Sequence, residues 1–404
     1  LTAITDRPAA AWLPILIAGC LVLAVNLGAR MTMGLFVQPM TLDVGLSREA
    51  FSLAIGIQNL LWGAAQPFAG AIAERYGTAR TIAVSLLFYA LGLVLMGFSD
   101  TPLLFGLSAG VLLGIAVSGS AFPVVFGAVA RALPPEKRSW ALGIATAGAS
   151  FGQFVFSPFA QFMIDDFGWF MALMALAIVC ALIVPLSLQL RGKADDGHGT
   201  DQSLRAALRE ALAHRGFLYL TVGFFVCGFH VAFVATHIQP FVVWCGLPAM
   251  LGASALATVG LFNIVGTYTA GVLGGRYRKK YLLSLIYLAR AVVIAIFFLG
   301  PKTELTVLAF AAAFGLLWLS TVPLTTGLII QIFGPRYVAT LFGIVFFSHQ
   351  VGAFFGAWLG GLNYDLQGNY DGVWLLSIAL GLLAALIHWP IGDRPLPRLA
   401  GAAA

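Results

Sequence analysis

Between residues 12 and 391 the chain is a succession of long apolar runs, and this restricts the fold to a bundle of membrane-crossing helices. A helix rises 1.5 Å per residue, so roughly 20 apolar residues cross a hydrocarbon core of about 30 Å. Barrel strands would be shorter and would alternate apolar with polar residues. With 60% hydrophobic and 9% charged residues the chain lacks the polar surface of a soluble domain. The first run is too long for a signal-peptide core and is expected to be a retained span.

Charges, Gly and Pro divide the chain into twelve expected spans: 12–40, 50–73, 80–98, 102–130, 139–164, 168–190, 216–244, 249–274, 281–299, 304–333, 338–364 and 370–391. The fold class is an all-α membrane protein of twelve transmembrane helices in two six-helix halves. An even number of spans places both termini on one side. With the termini in the cytoplasm, the inside segments hold Arg7, Arg75, Arg80, Arg131, Lys137, Arg138, Arg191, Lys193, Arg205, Arg209, Arg215, Arg276, Arg278, Lys279, Lys280, Arg336, Arg394 and Arg398. Outside loops keep Arg48 and Lys302, and the membrane keeps Arg30 and Arg290. Basic residues concentrate on the cytoplasmic side, which predicts this orientation. The net charge of +6 therefore reflects topology and does not call for nucleic acid. Residues 1–190 form the expected first half and 216–404 the second. The intervening 191–215 opens with "GKADDGHGTDQS", polar and Gly-rich like a flexible linker, and continues with "LRAALREALAHR", expected as a short amphipathic surface helix.

The halves repeat at a shift of 200. Pro123, Gly127, Gly143, Ile144, Gly152, Asp165 and Gly168 meet Pro323, Gly327, Gly343, Ile344, Gly352, Asp365 and Gly368. Gly70, Arg75 and Tyr76 meet Gly271, Arg276 and Tyr277 at a shift of 201. Parallel repeats imply a pseudo-two-fold axis along the membrane normal, with a substrate site between the halves near the midplane. Gly28 and Arg30 meet Gly228 and His230, so Arg30 and His230 are expected to face the axis from opposite sides.

The segment "GAIAERYGTAR" after span 2 fits Gly-x-x-x-Asp-Arg-x-Gly-x-x-Arg through Gly70, Glu74, Arg75, Gly77 and Arg80, with Glu74 in place of Asp. A degenerate copy, "GVLGGRYRKK", follows span 8. On these residues the chain resembles the major facilitator superfamily. The resemblance implies a secondary transporter in which this loop is a structural and gating element on the cytoplasmic side. "GARMTMGLFVQPM" and "FFSHQVGAFFGAWLGG" resemble the bacterial branch near monocarboxylate and oxalate/formate transporters. That implies a bacterial inner-membrane location. Those transporters carry an Arg in helix 8 and, for oxalate/formate exchange, a Lys in helix 11. This chain has Asn263 and His349 there.

No Asp or Glu falls inside a span; all sixteen acids lie in loops or at span ends. Exporters of cationic drugs commonly need a membrane carboxylate, so a cationic substrate is disfavoured. The buried ionisable set is read as cationic or neutral: Arg30, Arg290, His230, His237 and His349. A cavity so lined suits an anion, because a carboxylate can sit bidentate on a buried guanidinium. Arg30 shares a helical stripe with Asn26. Its functional reading is a grip on a substrate carboxylate; the structural one is bonding to carbonyls or a glutamine. His230 or His349 could contact substrate or carry a coupling proton, or simply pack. Of the adjacent His349 and Gln350, one is expected to face the cavity, with His349 favoured. Asn59 on span 2, Asn263 on span 8 and Gln153 on span 5 complete the candidates, each weighed against interhelical bonding. Arg290 is read as structural, bonding to helix carbonyls with Tyr287 as a neighbour.

No metal or cofactor is expected: His230 and His237 lack further ligands, and Cys20, Cys180, Cys227 and Cys245 have neither metal nor redox spacing. The leading reading is a transporter of a small organic anion, a monocarboxylate, by proton symport or anion exchange, acting as a monomer in the bilayer. The alternative within the fold is an exporter of hydrophobic drug-like compounds. An intramembrane enzyme would need converging nucleophile, base or metal ligands, and a sensor would need an output domain; neither is visible.

Overall fold

Twelve helical spans follow one another with short breaks. The computed structural model describes residues 9–133, 135–192, 203–334 and 337–396. Residues 193–202 of the expected linker, and Arg7, Lys193, Arg336 and Arg398, lie outside them. Span 1 is Ala9–Met31, continued through the tight turn Met33–Phe36 into Val37–Val44. Spans 2 and 3 are Arg48–Tyr76 and Thr78–Gly97. Span 4 runs from Pro102–Phe105 through a wide π-type turn, Gly106–Leu112, and Leu113–Ser120 to Phe122–Ala132. Spans 5 and 6 share Pro135–Leu182, divided at Gly168, whose φ of 81° only glycine adopts without strain. A turn at Val184–Leu190 and a short helix at Leu204–Ala213 lead to the second half. Spans 7, 8 and 9 are Arg215–Trp244, Ala249–Arg276 and Lys279–Leu299. Span 10 is Glu304–Leu317 plus Thr321–Phe333; spans 11 and 12 are Val338–Gln367 and Asp371–His388.

Among the described residues, ten segments are long and apolar enough to cross a membrane. One of them, Trp140–Leu190, is 51 residues long and folds back at Gly168, so it supplies two crossings. Span 2 is not among the ten, because Gln58, Asn59 and Gln66 dilute its hydropathy, yet its 29-residue helix packs along the bundle with the rest. The outward faces are apolar: Leu285, Leu288, Val292, Ile296 and Leu299 of span 9 are all exposed at helical spacing. A face of that kind is a lipid contact, and the chain is an integral, multi-pass membrane protein.

One end of the bundle gathers Arg75, Arg80, Lys137, Arg138, Arg276 and Lys279; the other gathers Asp43, Glu49, Asp165, Asp365 and Asp371. We call them the basic and the acidic end. At the basic end Gly77 turns the chain at φ 97°, and the Thr78 N–H donates to the Gly192 carbonyl at 3.2 Å, tying span 3 to the end of span 6. In the repeated loop, Arg278 pairs with Asp393, and Lys280 Nζ donates to the Ile391 carbonyl at 2.8 Å.

Spans 4 and 10 break at matching places, before Pro123 and Pro323. A proline lacks the N–H that would continue the helix, so carbonyls upstream need other donors. In span 4 the Val117 carbonyl accepts from Asn26 Nδ2 (3.3 Å) and the Ser118 carbonyl from Gln66 Nε2 (3.0 Å). In span 10 the Leu317 and Trp318 carbonyls accept from Arg290, whose Nε stands 3.1 Å from Leu317 O. Arg290 is fully buried beside Tyr287, its guanidinium carbon 5.4 Å from the ring centroid. Its position follows from the break, which concentrates unsatisfied negative dipole ends where a guanidinium can reach two of them.

The halves meet along span 2 with span 11 and span 5 with span 8. From the middle to the acidic end the first seam is close. A Cβ on Gly63 would stand 2.8 Å from Gln350 Cβ, and one on Gly56 3.0 Å from Phe354 O. Gly34 of span 1 lies directly against the Ala235 and Thr236 carbonyls of span 7. Arg48 then crosses between the halves: Nη1 donates to Tyr370 Oη at 2.6 Å, and the guanidinium stacks 3.6 Å from the Tyr364 ring centroid. The Glu49 N–H donates to Asp365 Oδ2 at 2.7 Å. Toward the basic end the halves diverge. Ser150 and Gln350 both touch the opposite half, yet two helical turns below them, on the same faces, Gly143 and Gly343 have no described atom within 4 Å of a built Cβ. The bundle is closed at its acidic end and loosened at its basic end.

Candidate substrate site

The midplane seam is where the first-half cation sits. Arg30 is near the end of the first helical stretch of span 1, and its side chain is part-exposed. Nη2 donates to Asn59 Oδ1 of span 2. The guanidinium carbon lies 4.6 Å from the centroid of the Trp62 ring. Nε is buried and has no protein acceptor. A cation–π contact and one amide bond leave donors in the guanidinium plane unsatisfied, and no described carboxylate forms an ion pair with it.

The neighbours of Arg30 are fixed from behind. Asn59 Nδ2 donates to the Ile55 carbonyl at 2.8 Å, which orients its Oδ1 toward the guanidinium. Trp62 Nε1 donates to Gln66 Oε1 at 3.0 Å. Gln66 in turn holds the span 4 break, so the indole is anchored to the packed wall of its own half. Asn59, Trp62 and Gln66 occupy successive turns of one helical face, the stripe pattern that a polar lining requires. Across the seam, Trp62 meets Phe346 of span 11 edge-on, with centroids 5.4 Å apart.

Span 11 presents both of its adjacent candidates to this region. Gln350 packs its stem on Gly63, beside Trp62, and its Nε2 has no acceptor. His349 is turned toward span 7: Nδ1 is 3.2 Å from Gln350 Oε1, and the ring stacks on Phe346 (5.7 Å, 11°) and lies 5.0 Å from Phe224. Both are buried; Gln350 contacts the first half directly at Gly63, and His349 packs among Gln350, Phe346 and Phe224.

The other candidates are drawn elsewhere. His230 does not face Arg30 across an axis: Nε2 is 2.8 Å from the Ser377 carbonyl of span 12, and the residue is buried in the second half. The repeat fixes where its Cα lies, but the local partner decides where the ring goes. Asn26 is fully buried against Val117 and Ser120 of span 4, where it serves the helix break and leaves the Arg30 lining. Gln153 Nε2 donates to the Leu256 carbonyl (2.9 Å) and Asn263 Nδ2 to Ser150 Oγ (2.8 Å). Those two bonds cross from span 5 to span 8, so both residues join the halves rather than line the Arg30 site. His237 holds the Ala357 carbonyl at 2.7 Å near the acidic end. Of the loop residues, Gly77 makes the turn, Gly70 has open space around it, and Glu74, Arg75 and Arg80 are exposed at the basic end.

Two residues of the site, Trp62 and Phe346, escape a search for polar groups in membrane. The signal for Trp62 is its place three residues after Asn59 on a polar stripe. Phe346 carries no comparable signal in a sequence with 32 phenylalanines.

Comparison with known proteins agrees with this architecture. The family model described as Major Facilitator Superfamily matches residues 18–357. An uncharacterized transporter of this superfamily type, YcxA of Bacillus subtilis (strain 168), is 25% identical over 396 residues, covering 94% of this chain and 95% of its own. Monocarboxylate transporter 13 of Rattus norvegicus is 26% identical over 367 residues, covering 85% of this chain and 81% of its own. Among solved structures, a bacterial homolog of the human lysosomal transporter Spinster, in an inward-facing and unoccupied conformation, superposes with a TM-score of 0.80 at 16% identity, over 97% of this chain and all of that one. The fold, the matched family model and relatives that are themselves named transporters lead to one assignment: the chain belongs to the Major Facilitator Superfamily and is a membrane transporter, not an enzyme.

Proposed function

We propose that the chain is a secondary transporter of a small organic anion, a monocarboxylate, with Arg30 as the group that binds the carboxylate. The observation that carries this reading is the state of the Arg30 guanidinium: at the seam of the two halves, part-exposed, with no paired carboxylate and a buried Nε that has no acceptor. An arginine in membrane is costly unless its donors are met, and a carboxylate in the guanidinium plane meets two at once. The naming of several relatives as monocarboxylate transporters supports the same substrate class.

Alternating access would proceed by rocking the halves about this site. The tight Gly34 contact and the Arg48 latch keep the acidic end shut, while the basic end, which the concentration of basic residues supports as the cytoplasmic one, is loosened. Substrate would exchange with the cytoplasm in this state. Proton symport and anion exchange both fit. For symport the proton would travel on the substrate or on His349, the histidine beside the site; His230 is bonded away from it.

Uptake of labelled mono- and dicarboxylates into proteoliposomes, with and without a pH gradient, tests the reading. Arg30→Gln should abolish saturable uptake of the anion. Uptake at unchanged affinity in that variant would refute it, and export of uncharged hydrophobic compounds that ignores Arg30 would support the drug-exporter alternative instead. Uptake driven by the pH gradient indicates symport; uptake driven only by internal anion indicates exchange.

A further inference from the structure

Across the seam from Trp62, span 11 carries a row of aromatic rings. On span 11, Phe342, Phe346 and His349 follow at steps of four and three residues and so share one helical face. Phe342 and Phe346 stack with centroids 6.2 Å apart and planes 24° apart, and Phe346 stacks on His349. Phe224 of span 7 backs the row, 6.0 Å from Phe342 and 5.0 Å from His349. Phe342 and Phe346 are both part-exposed, and they lie on the side of the seam that loosens toward the basic end. Trp62 joins this row to the cation: its ring lies under Arg30 and makes a T-shaped contact with Phe346. None of Phe224, Phe342, Phe346, His349 and Gln350 brings a fixed positive charge.

Resting on the anion reading, we infer that the substrate is a monocarboxylate whose carbon skeleton is a flat aromatic ring. A carboxylate pairs with a guanidinium in the guanidinium plane. Trp62 lies 4.6 Å from the guanidinium carbon and meets Phe346 across the seam, so a skeleton that runs alongside the indole comes toward Phe346. A flat ring there would meet the rims of two aromatic side chains held in fixed orientation, Trp62 by its bond to Gln66 and Phe346 by stacking against Phe342 and His349. A short aliphatic acid leaves these rings uncovered. A dicarboxylate sets its second charge against a wall without a cation, where a desolvated charge finds no partner.

The test is competition against a labelled monocarboxylate in purified, reconstituted protein, using benzoate, cyclohexanecarboxylate, propionate and phthalate. Benzoate and cyclohexanecarboxylate have the same number of carbons and one charge each, so their ratio isolates the flat ring. Benzoate is expected to bind about three- to ten-fold tighter than cyclohexanecarboxylate, from aromatic pairing. Propionate and phthalate should be weaker still, and Phe346→Leu should bring the benzoate preference close to unity. If Arg30-dependent binding is found but benzoate is no better than cyclohexanecarboxylate or propionate, this inference is wrong and the anion reading stands. If none of the acids binds, or if all bind equally to Arg30→Gln, the anion reading itself fails. Should Phe346→Leu not fold, the ratio in the unaltered protein still decides.

Discussion

Arg30 and Arg290 lie away from the ends of the membrane spans, and the proposed function gives them opposite work, which a pair of substitutions can separate. Arg290 is fully buried and donates to the Leu317 and Trp318 carbonyls at the end of the first part of span 10. Replacing it with Met keeps much of the volume but leaves two buried carbonyls without donors. Each such group costs about 1–3 kcal/mol, roughly 2–6 kcal/mol for the two. Removing a desolvated charge returns part of that loss. The net should fall in the lower half, at about 2–3 kcal/mol. For a cooperative unit the size of one six-span half this corresponds to a melting shift on the order of 5–10 °C. Arg30→Gln, in contrast, removes one bond to Asn59 and one ring contact, about 2 kcal/mol, but also relieves an incompletely paired charge in the membrane, so the net should be under about 1 kcal/mol and the melting shift about 3 °C or less.

The assay is thermal unfolding of both variants in one detergent, with anion affinity measured on the folded protein. Arg290→Met should melt early and bind with near-normal affinity, whereas Arg30→Gln should melt normally and not bind. An Arg290→Met variant that melts with the unaltered protein would show that the broken helix does not need its cap. One that keeps its stability and loses binding would make Arg290 a substrate group and overturn the assignment.

Two further consequences concern the ends of the bundle. Arg48→Ala removes the bond to Tyr370 and the stacking on Tyr364 that hold the halves together at the acidic end; in that background a cysteine at buried Ser52 should react several-fold faster with a membrane-impermeant maleimide, and an unchanged rate would mean that the latch does not hold the end shut. At the basic end, the hydrogen bonds from Arg278 hold the Asp393 carboxyl below its usual range, so the stabilisation from this pair is complete above about pH 4 and is lost as the pH falls through the lower, folded-state value. Asp393→Asn should accordingly melt lower by a small, constant margin from pH 8 to pH 5, small because Arg278 is exposed and screened, and the gap should close below about pH 4; a gap that widens on acidification would contradict the pairing.

The twelve crossings are legible because a membrane span needs an apolar run of fixed minimum length, and composition alone reveals it. Even the polar span 2 is found between Arg48 and Tyr76, since Gln58, Asn59 and Gln66 interrupt the run without ending it. The internal breaks are less legible. Pro123 and Pro323 mark their neighbourhood, but nothing in "LLGIAVSGSAFP" says that span 4 opens before residue 122. Arg30's depth and its lack of a carboxylate partner can both be read from the sequence. The direction of His230 cannot, because a repeat relates backbone positions, whereas side-chain direction depends on the nearest acceptor, here the Ser377 carbonyl. Asn26 departs for the same reason: a stripe on span 1 places it beside Arg30, but the open carbonyl of Val117 claims it.

That last contact bears on why the site is lopsided in a symmetric fold. Val117 and Ser118 in the first half correspond, at the shift of 200, to Leu317 and Trp318 in the second. The same broken helix therefore presents the same pair of open carbonyls twice. In the first half two neutral amides, Asn26 and Gln66, fill the need; in the second, one cation does. A guanidinium committed to two backbone carbonyls deep in its own half is no longer free for a ligand. Amides at the equivalent break leave the first-half cation, Arg30, without a structural duty, and Gln66 goes further by holding the indole on which Arg30 rests. With its arginine held in the helix break, the second half brings to the seam Phe342, Phe346 and His349, none of them a fixed charge. On the proposed function, the division of the site into one half that holds charge and one that offers rings follows from how each half repairs its broken helix.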